Sequence, residues 1–270
     1  MFQKSTSIKI FLLNFAILFS FFNSALAVQE RPSFIRPDLE KKCLLSVDTV
    51  YTGIVNKEIR SRCIELTLMA GYILNEKWSV YGFVPLSYEH TFYPEEVPKG
   101  KQKTETLLLA RSILFLPRYT FRLRSSRLHC SLGFQLPTCR RIYGNMTYDT
   151  KEHNLFSLQP GVAIEKVCDP VISIVEVSYS QPLWREKDRK NLSDLMYGQI
   201  SAGLHFIINE RFSYFTSLAV LVRKEQENYL CEFGVSYLLK MCNELRIYLL
   251  NNYDGILWNT SIGLLLVFGR

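Results

Sequence analysis

The sequence predicts an all-β protein, an antiparallel transmembrane β-barrel of about twelve strands. Three observations carry that prediction. The chain opens on an export signal. The chain is close to half hydrophobic, yet beyond that signal it holds no continuous apolar run of about eighteen residues, so no transmembrane helix is predicted. Apolar and polar residues alternate there in long strands, joined mostly by short turns at one end and longer polar loops at the other.

Residues 1–27 read as a signal peptide cleaved near Ala27. Lys4 and Lys9 supply the positive start, Ile10 to Phe22 an apolar core, and Ala25-Leu26-Ala27 a small-residue cleavage site. The alternative, an uncleaved membrane helix, fits less well because the core is short. No cysteine comes directly after the site, which speaks against a lipid anchor. Residues 28–42, with Pro32 and Pro37, read as a flexible lead-in, and residues 43–270 as the barrel. Two of the 32 Lys and Arg lie in the signal, leaving 30 against 25 acids and a net charge of +5. That mild charge forms no basic stripe with interleaved aromatics, so nucleic acid is excluded as a partner. The seven cysteines are an odd number, and none forms C-x-x-C or a His/Cys zinc spacing. No metal and no cofactor is predicted.

The clearest unit is Leu155 to Trp184, two strands joined at Cys168-Asp169-Pro170. Asp-Pro favours a turn because proline pushes the residue before it out of the helical region. Val171, Val175, Val177 and Tyr179 share one face; Glu176, Ser178 and Ser180 share the other. Around it, strands are expected near Leu44–Ile54 and Arg62–Ile73. In the second, Ile64, Leu66, Leu68, Ala70 and Tyr72 oppose Cys63, Glu65, Thr67, Met69 and Gly71. A tight Asn75-Glu76-Lys77 turn leads into Trp78–Tyr88, and Glu89–Lys103 reads as a long loop. The fourth strand, Thr104–Phe121, is interrupted at Pro117, and its LLLARSILFL stretch also reads as a short helix. Leu128–Leu136 alternates cleanly, and Thr138–His153 reads as another loop. After Trp184 comes the charged loop Arg185–Ser193. Further strands are expected near Asp194–Ile208, Arg211–Arg223, Tyr229–Leu239, Glu244–Asn252 and Leu257–Phe268, with turns at Asn209-Glu210 and Met241–Asn243.

Short turns on one side and longer loops on the other are the organisation of an outer-membrane barrel, turns periplasmic and loops extracellular. This implies localisation in the outer membrane of a Gram-negative-type cell. Tyr51, Trp78, Tyr88, Tyr179, Trp184, Tyr229, Tyr253 and Trp258, near strand ends, are candidates for interfacial girdles. Ile262, Leu264, Leu266 and Phe268 alternate towards a near-terminal aromatic, which looks like a barrel-assembly signal. Outer-membrane lipid, the barrel-assembly machinery and a small-molecule substrate are the expected partners.

Several segments also carry a family likeness. SLQPGVAIEKVCDPVISIVEVSYSQPL resembles the strand, D-P-V turn and strand ending in S-Y of the outer-membrane transporters grouped under the MetA pathway of phenol degradation. IELTLMAGYILNEKWSVYGFVPLSY is similar to that family's strand, tight turn and strand ending in P-x-x-Y. SAGLHFIINERFSYFTSLAV and EFGVSYLLKMCNELRIYLL look like its later hairpins. The resemblance spans about Arg62 to Phe268 and implies a barrel-type transporter rather than transport of phenol itself.

On the alternation, the polar faces collect Glu65, His129, Gln135, Glu165, Glu176, Gln199, His205, Arg223, Glu232, Glu244 and Arg246. Charges on a lipid face near the midplane cost about 2–4 kcal/mol, so these are the lumen-lining candidates. They admit two readings: a polar pathway whose charges bias what passes, or a packed lumen of ion pairs that only stiffens the wall. Catalysis is not predicted. His129 with Ser131 and His205 with Ser201 share faces, but no nucleophile motif surrounds either pair. The predicted function is passive passage of small, in part hydrophobic, molecules. Two alternatives stand beside it: a structural or surface-binding barrel acting through Glu89–Lys103, Thr138–His153 and Arg185–Ser193, and a soluble exported β-sandwich.

Overall fold

The computed structural model describes residues 43–55, 60–93, 103–145, 154–185, 192–223, 227–240, 243–253 and 258–269. The expected signal peptide and lead-in lie outside the described residues. Strands succeed one another along the chain: β1 (Cys43–Val55), β2 (Arg60–Ile73), β3 (Trp78–Tyr93), β4 (Lys103–Ala110), β5 (Leu114–Arg122), β6 (Ser126–Gln135), β7 (Arg140–Gly144), β8 (Leu155–Cys168) and β9 (Val171–Arg185). A single 3-10 turn, Leu192–Leu195, precedes β10 (Tyr197–Ile207), β11 (Phe212–Arg223), β12 (Glu227–Lys240), β13 (Asn243–Tyr253) and β14 (Trp258–Gly269).

Pairing is antiparallel throughout and sequential from β1 to β3 and from β8 to β14, and β14 returns to β1 with Phe268 opposite Leu45 and Gly263 opposite Val50. That last pairing closes the sheet and excludes the β-sandwich. A closed barrel satisfies every inter-strand backbone group internally, the requirement for crossing hydrocarbon with strands. β4 and β5 both pair with β3, as the two halves of one wall strand, and β7 continues the line of β6, so the wall has twelve strands. β3, β9 and β2 are 16, 15 and 14 residues long, more than the roughly 9–11 that a tilted strand needs to span a bilayer.

Alternation decides which way each side chain points. Val175 and Val177 are 50% and 51% exposed, whereas Ser180 on the opposite face is buried. The same outward apolar row continues through Ile200, Leu218, Ile247, Ile262 and Ile64. It forms a continuous apolar belt on the outer face. Tyr51, Trp78, Tyr88, Tyr179 and Trp184 are exposed on this outer face near strand ends, where an amphipathic ring suits a headgroup.

The turns repeat one device. The Asn75 Oδ1 accepts the backbone N–H of Lys77 and Trp78, each at 2.9 Å. Asn209 Oδ1 does the same for Arg211 and Phe212 at 2.9 and 2.8 Å. An asparagine that caps its own turn makes a short connection self-sufficient.

Four expectations are corrected. The fourth strand is neither a helix nor broken at Pro117, which lies inside β5 opposite Val80. The break falls at residues 111–113, where the register slips by one residue: Leu86 faces Ala110, but Phe83 faces Leu114. Pro85 sits at this point without an N–H to donate, so the ladder opens into a bulge. The loop expected at Glu89–Lys103 is shorter, because β3 runs on to Tyr93 and β4 starts at Lys103. Thr138–His153 contains β7, which pairs with β4. The strand expected from Asp194 begins at Tyr197, after the 3-10 turn. The long connections are 94–102, 145–154 and 186–196, whereas 56–59, 224–226 and 254–257, at the same end of the barrel, are as short as the turns opposite.

Cysteines offer a test of orientation. Cys43 and Cys168 are exposed free thiols at the short-turn end. Cys139 is buried against Leu107 and Leu109, closed to a bulky reagent. Thiolate is the reactive form. A membrane-impermeant maleimide should therefore label single-cysteine Cys43 and Cys168 variants only once the periplasm is opened, and should leave Cys139 unlabelled in both conditions. Labelling of Cys168 on intact cells would invert the assigned topology.

Candidate functional site in the barrel lumen

The inner face is polar because every second residue points inward and most of those residues carry hydroxyl, amide or charged groups. All eleven lumen candidates lie on inward-facing strand positions. The structure gathers many of them into three networks.

The first joins β12 and β13 near the short-turn end. Arg246 donates from Nε to Glu244 Oε1 at 2.8 Å and from Nη2 to Oε2 at 3.2 Å. The Ser236 hydroxyl donates to the same carboxylate. Glu244 is 1% exposed and Arg246 4%, so this forked pair is removed from water. The guanidinium also lies 5.4 Å from the centre of the Phe215 ring. Beside it on β10 and β11, His205 Nε2 is 2.5 Å from Ser213 Oγ.

The second network joins β5, β6 and β8. Glu165 is 2% exposed, with Arg127 at 3.6 Å and His129 Nε2 at 3.5 Å. The other imidazole nitrogen, Nδ1, is 2.9 Å from Thr120 Oγ1. The third joins β2, β3 and the bulge. Arg111 meets Glu65 at 3.1 Å and reaches Ser87, while Glu89 accepts hydrogen bonds from Ser61 and Thr91.

The other candidates are placed singly. Gln135 accepts from Ser157 at 3.0 Å and Gln159 at 3.3 Å. Glu232 accepts from Ser217 at 3.2 Å. Arg223 lies over the Tyr197 ring at 5.8 Å. Gln199 is buried on β10, and Glu176 is partly exposed on β9.

An apolar shelf interrupts the polar wall. Phe215, Tyr248, Val50 and Leu250 are buried together on inward positions. Tyr248 lies across β14 and donates its hydroxyl hydrogen to Asp48 Oδ1 on β1 at 2.5 Å. The ring has space because both of its cross-strand neighbours, Gly234 and Gly263, lack a side chain. A Cβ on Gly263 would fall 2.0 Å from a ring carbon of Tyr248.

Several of these residues gave no signal in the sequence. Ser213, rather than Ser201, is the serine that His205 meets, because partners in a barrel come from the next strand as often as from the same one. Arg127 falls just before the strand expected from Leu128, which in the structure starts at Ser126; Arg111 and Arg118 were missed for a different reason. The bulge flips the parity of the strand, so no single alternation runs through Thr104–Phe121. Asp48 carried no signal beyond its inward parity. His205 and Ser213 are both buried, at 7% and 1% exposure.

No family model matches the sequence, and no curated protein matches it. Solved structures do. An outer membrane channel from Pseudomonas putida F1 superposes with a TM-score of 0.60 at 10% identity, covering 90% of this chain and 100% of that one. The NanC porin gives 0.56 at 11% identity, over 84% of this chain and 100% of that one. The translocator domain of the autotransporter NalP from Neisseria meningitidis gives 0.51 at 8%, over 84% and 88%. Channels and a translocator thus share the architecture, and at these identities the likeness is one of fold: this chain has the fold of the outer-membrane β-barrels.

Proposed function

We propose that the mature chain resides in the outer membrane as a channel that lets small, largely apolar molecules pass without an energy source, as the resemblance to the MetA-pathway transporters implies. One observation carries the reading. Inside a closed wall with an apolar outer belt, the inward side chains of β5, with Tyr81 and Phe83 of β3, stay partly open, whereas most of those from β8 round to β13 are buried. Tyr81, Phe83, Leu114 and Leu116 line that strip, which is therefore apolar over much of its length. The ion pairs between neighbouring inward side chains stiffen the rest of the wall, and the inward side chains keep the passage narrow. In this reading the signal ends near Ala27, and β14, with Phe268 near its end, is the strand that the assembly machinery takes up.

Refolded protein in planar bilayers and in swelling liposomes tests the proposal. Small discrete conductance steps and swelling that falls steeply with solute size are expected. A sealed barrel with no uptake would sink it. The second reading, a surface-binding barrel, is favoured by the three long connections at one end. Shortening residues 145–154 and 186–196 would then abolish attachment to envelope partners while any permeability persisted.

A further inference from the structure

The charged groups of the lumen are unequally committed. Arg111, Arg127 and Arg246 each face a glutamate. Arg118 on β5 does not. Its Nε is buried without a hydrogen-bond partner, and among the described residues no carboxylate lies within ion-pair distance of it. Its guanidinium lies 5.2 Å from the centre of the Tyr81 ring, and Glu176 on β9 feels its charge only from farther away. An unpaired buried donor on a cation is costly unless something meets it.

The neighbours of Arg118 indicate what that partner is. Ser79 on β3 and Ser131 on β6 are its direct cross-strand partners, which sets one serine hydroxyl on each side of the guanidinium; that of Ser131 donates a long 3.4 Å bond to the Gly161 carbonyl, and a hydroxyl rotates to a nearer acceptor. Ser131 in turn faces Gly161 on β8, where an added Cβ would come within 2.8 Å of the Ser131 oxygen; the absent side chain keeps that approach clear. One register step along the same strands, the wall becomes apolar, with Leu116 opposite Tyr81 and Leu114 opposite Phe83. A forked cation flanked by hydroxyls recognises a carboxylate. A single such cation, with Glu165 and Glu176 close by on β8 and β9 of the same wall, suits one negative charge and no more.

We propose that Arg118, with Ser79 and Ser131, is a binding site for the carboxylate of small organic monoanions, whose apolar bodies lie along Tyr81, Leu116 and Phe83. The site deepens the channel reading and rests on it, since it sits on the part-open strip of the lumen and names the solutes that strip holds. Arg118 then gives the passage a preference for anions over neutral molecules of the same shape.

The test uses the refolded full-length mature protein in detergent, with 4-fluorobenzoate as the probe and 4-fluorobenzyl alcohol as its uncharged counterpart. Fluorine NMR line broadening reads binding whether or not the barrel conducts. Wild type is expected to bind the benzoate at least tenfold more tightly than the alcohol. Arg118→Gln should remove that preference, and Arg118→Lys should restore part of it. Heat-modifiable gel mobility confirms that each variant is folded. Equal binding by wild type and Arg118→Gln, or no binding by wild type, would overturn the site. Bilayer recordings separate this from the channel proposal. A conducting wild type that ignores benzoate defeats only the site, whereas benzoate binding to a non-conducting barrel supports the site and defeats the channel.

Discussion

Replacing Arg246 by Met should destabilise the barrel by about 3–5 kcal/mol, the usual cost of leaving one member of a buried ion pair without the other. Glu244 would remain 1% exposed, with only the Ser236 hydroxyl to meet a full charge. The guanidinium also loses its place against Phe215, adding about 0.5–2 kcal/mol. Urea titration in micelles, read by tryptophan fluorescence and by loss of heat-modifiable mobility, gives the magnitude. The double replacement Glu244→Leu with Arg246→Met removes both charges and should recover most of the loss, because well-packed apolar side chains replace a buried pair at little cost. A single variant that loses less than about 1 kcal/mol would mean the pair is open to water, as exposed pairs are.

The second large effect is expected at Gly263. Alanine there places a carbon 2.0 Å from the Tyr248 ring, and the ring must leave. Overpacking of this kind costs about 1–3 kcal/mol. The displaced hydroxyl also gives up Asp48, a bond to a charged acceptor worth about 1.5–3 kcal/mol. The position lies at the seam, where β14 meets β1 and closes the barrel, so slower refolding into the heat-modifiable form is expected as well. Tyr248→Ala in the same chain removes the clash. The double variant should therefore be more stable than the two single losses added together predict, by about 1 kcal/mol or more, since contacting residues couple. Strict additivity would show that ring and glycine do not touch. Tyr248→Phe isolates the Asp48 bond, because it keeps the ring and removes only the donor.

Much of the architecture was legible in the chain because a barrel wall writes its geometry in period two. Ile64, Leu66 and Leu68 against Cys63, Glu65 and Thr67 already state which face meets lipid. The Asn75 and Asn209 turns state where the strand reverses. The barrel's closure was legible only indirectly, through strand number and the two kinds of connection. Legibility failed where alternation failed. At residues 111–113 one extra residue inverts the phase, turning an inward row into an outward one, and Arg118 disappeared from view with it. β7 was lost because four exposed residues before Gly144, whose φ is +134°, resemble a loop until β4 pairs with them.

By itself the amino-acid sequence determined the faces: hydrocarbon tolerates no charge at the midplane, so each inward polar residue is marked by its apolar neighbours on either side. Only the tertiary structure decided the partners. Which glutamate meets which arginine depends on the register between strands, and register is set jointly by turn, bulge and closure rather than by any one strand. Hence Glu65, Glu165 and Glu244, alike in the sequence as inward carboxylates, are held by Arg111, Arg127 and Arg246, while Arg118 is left against the Tyr81 ring with no carboxylate among the described residues within ion-pair distance.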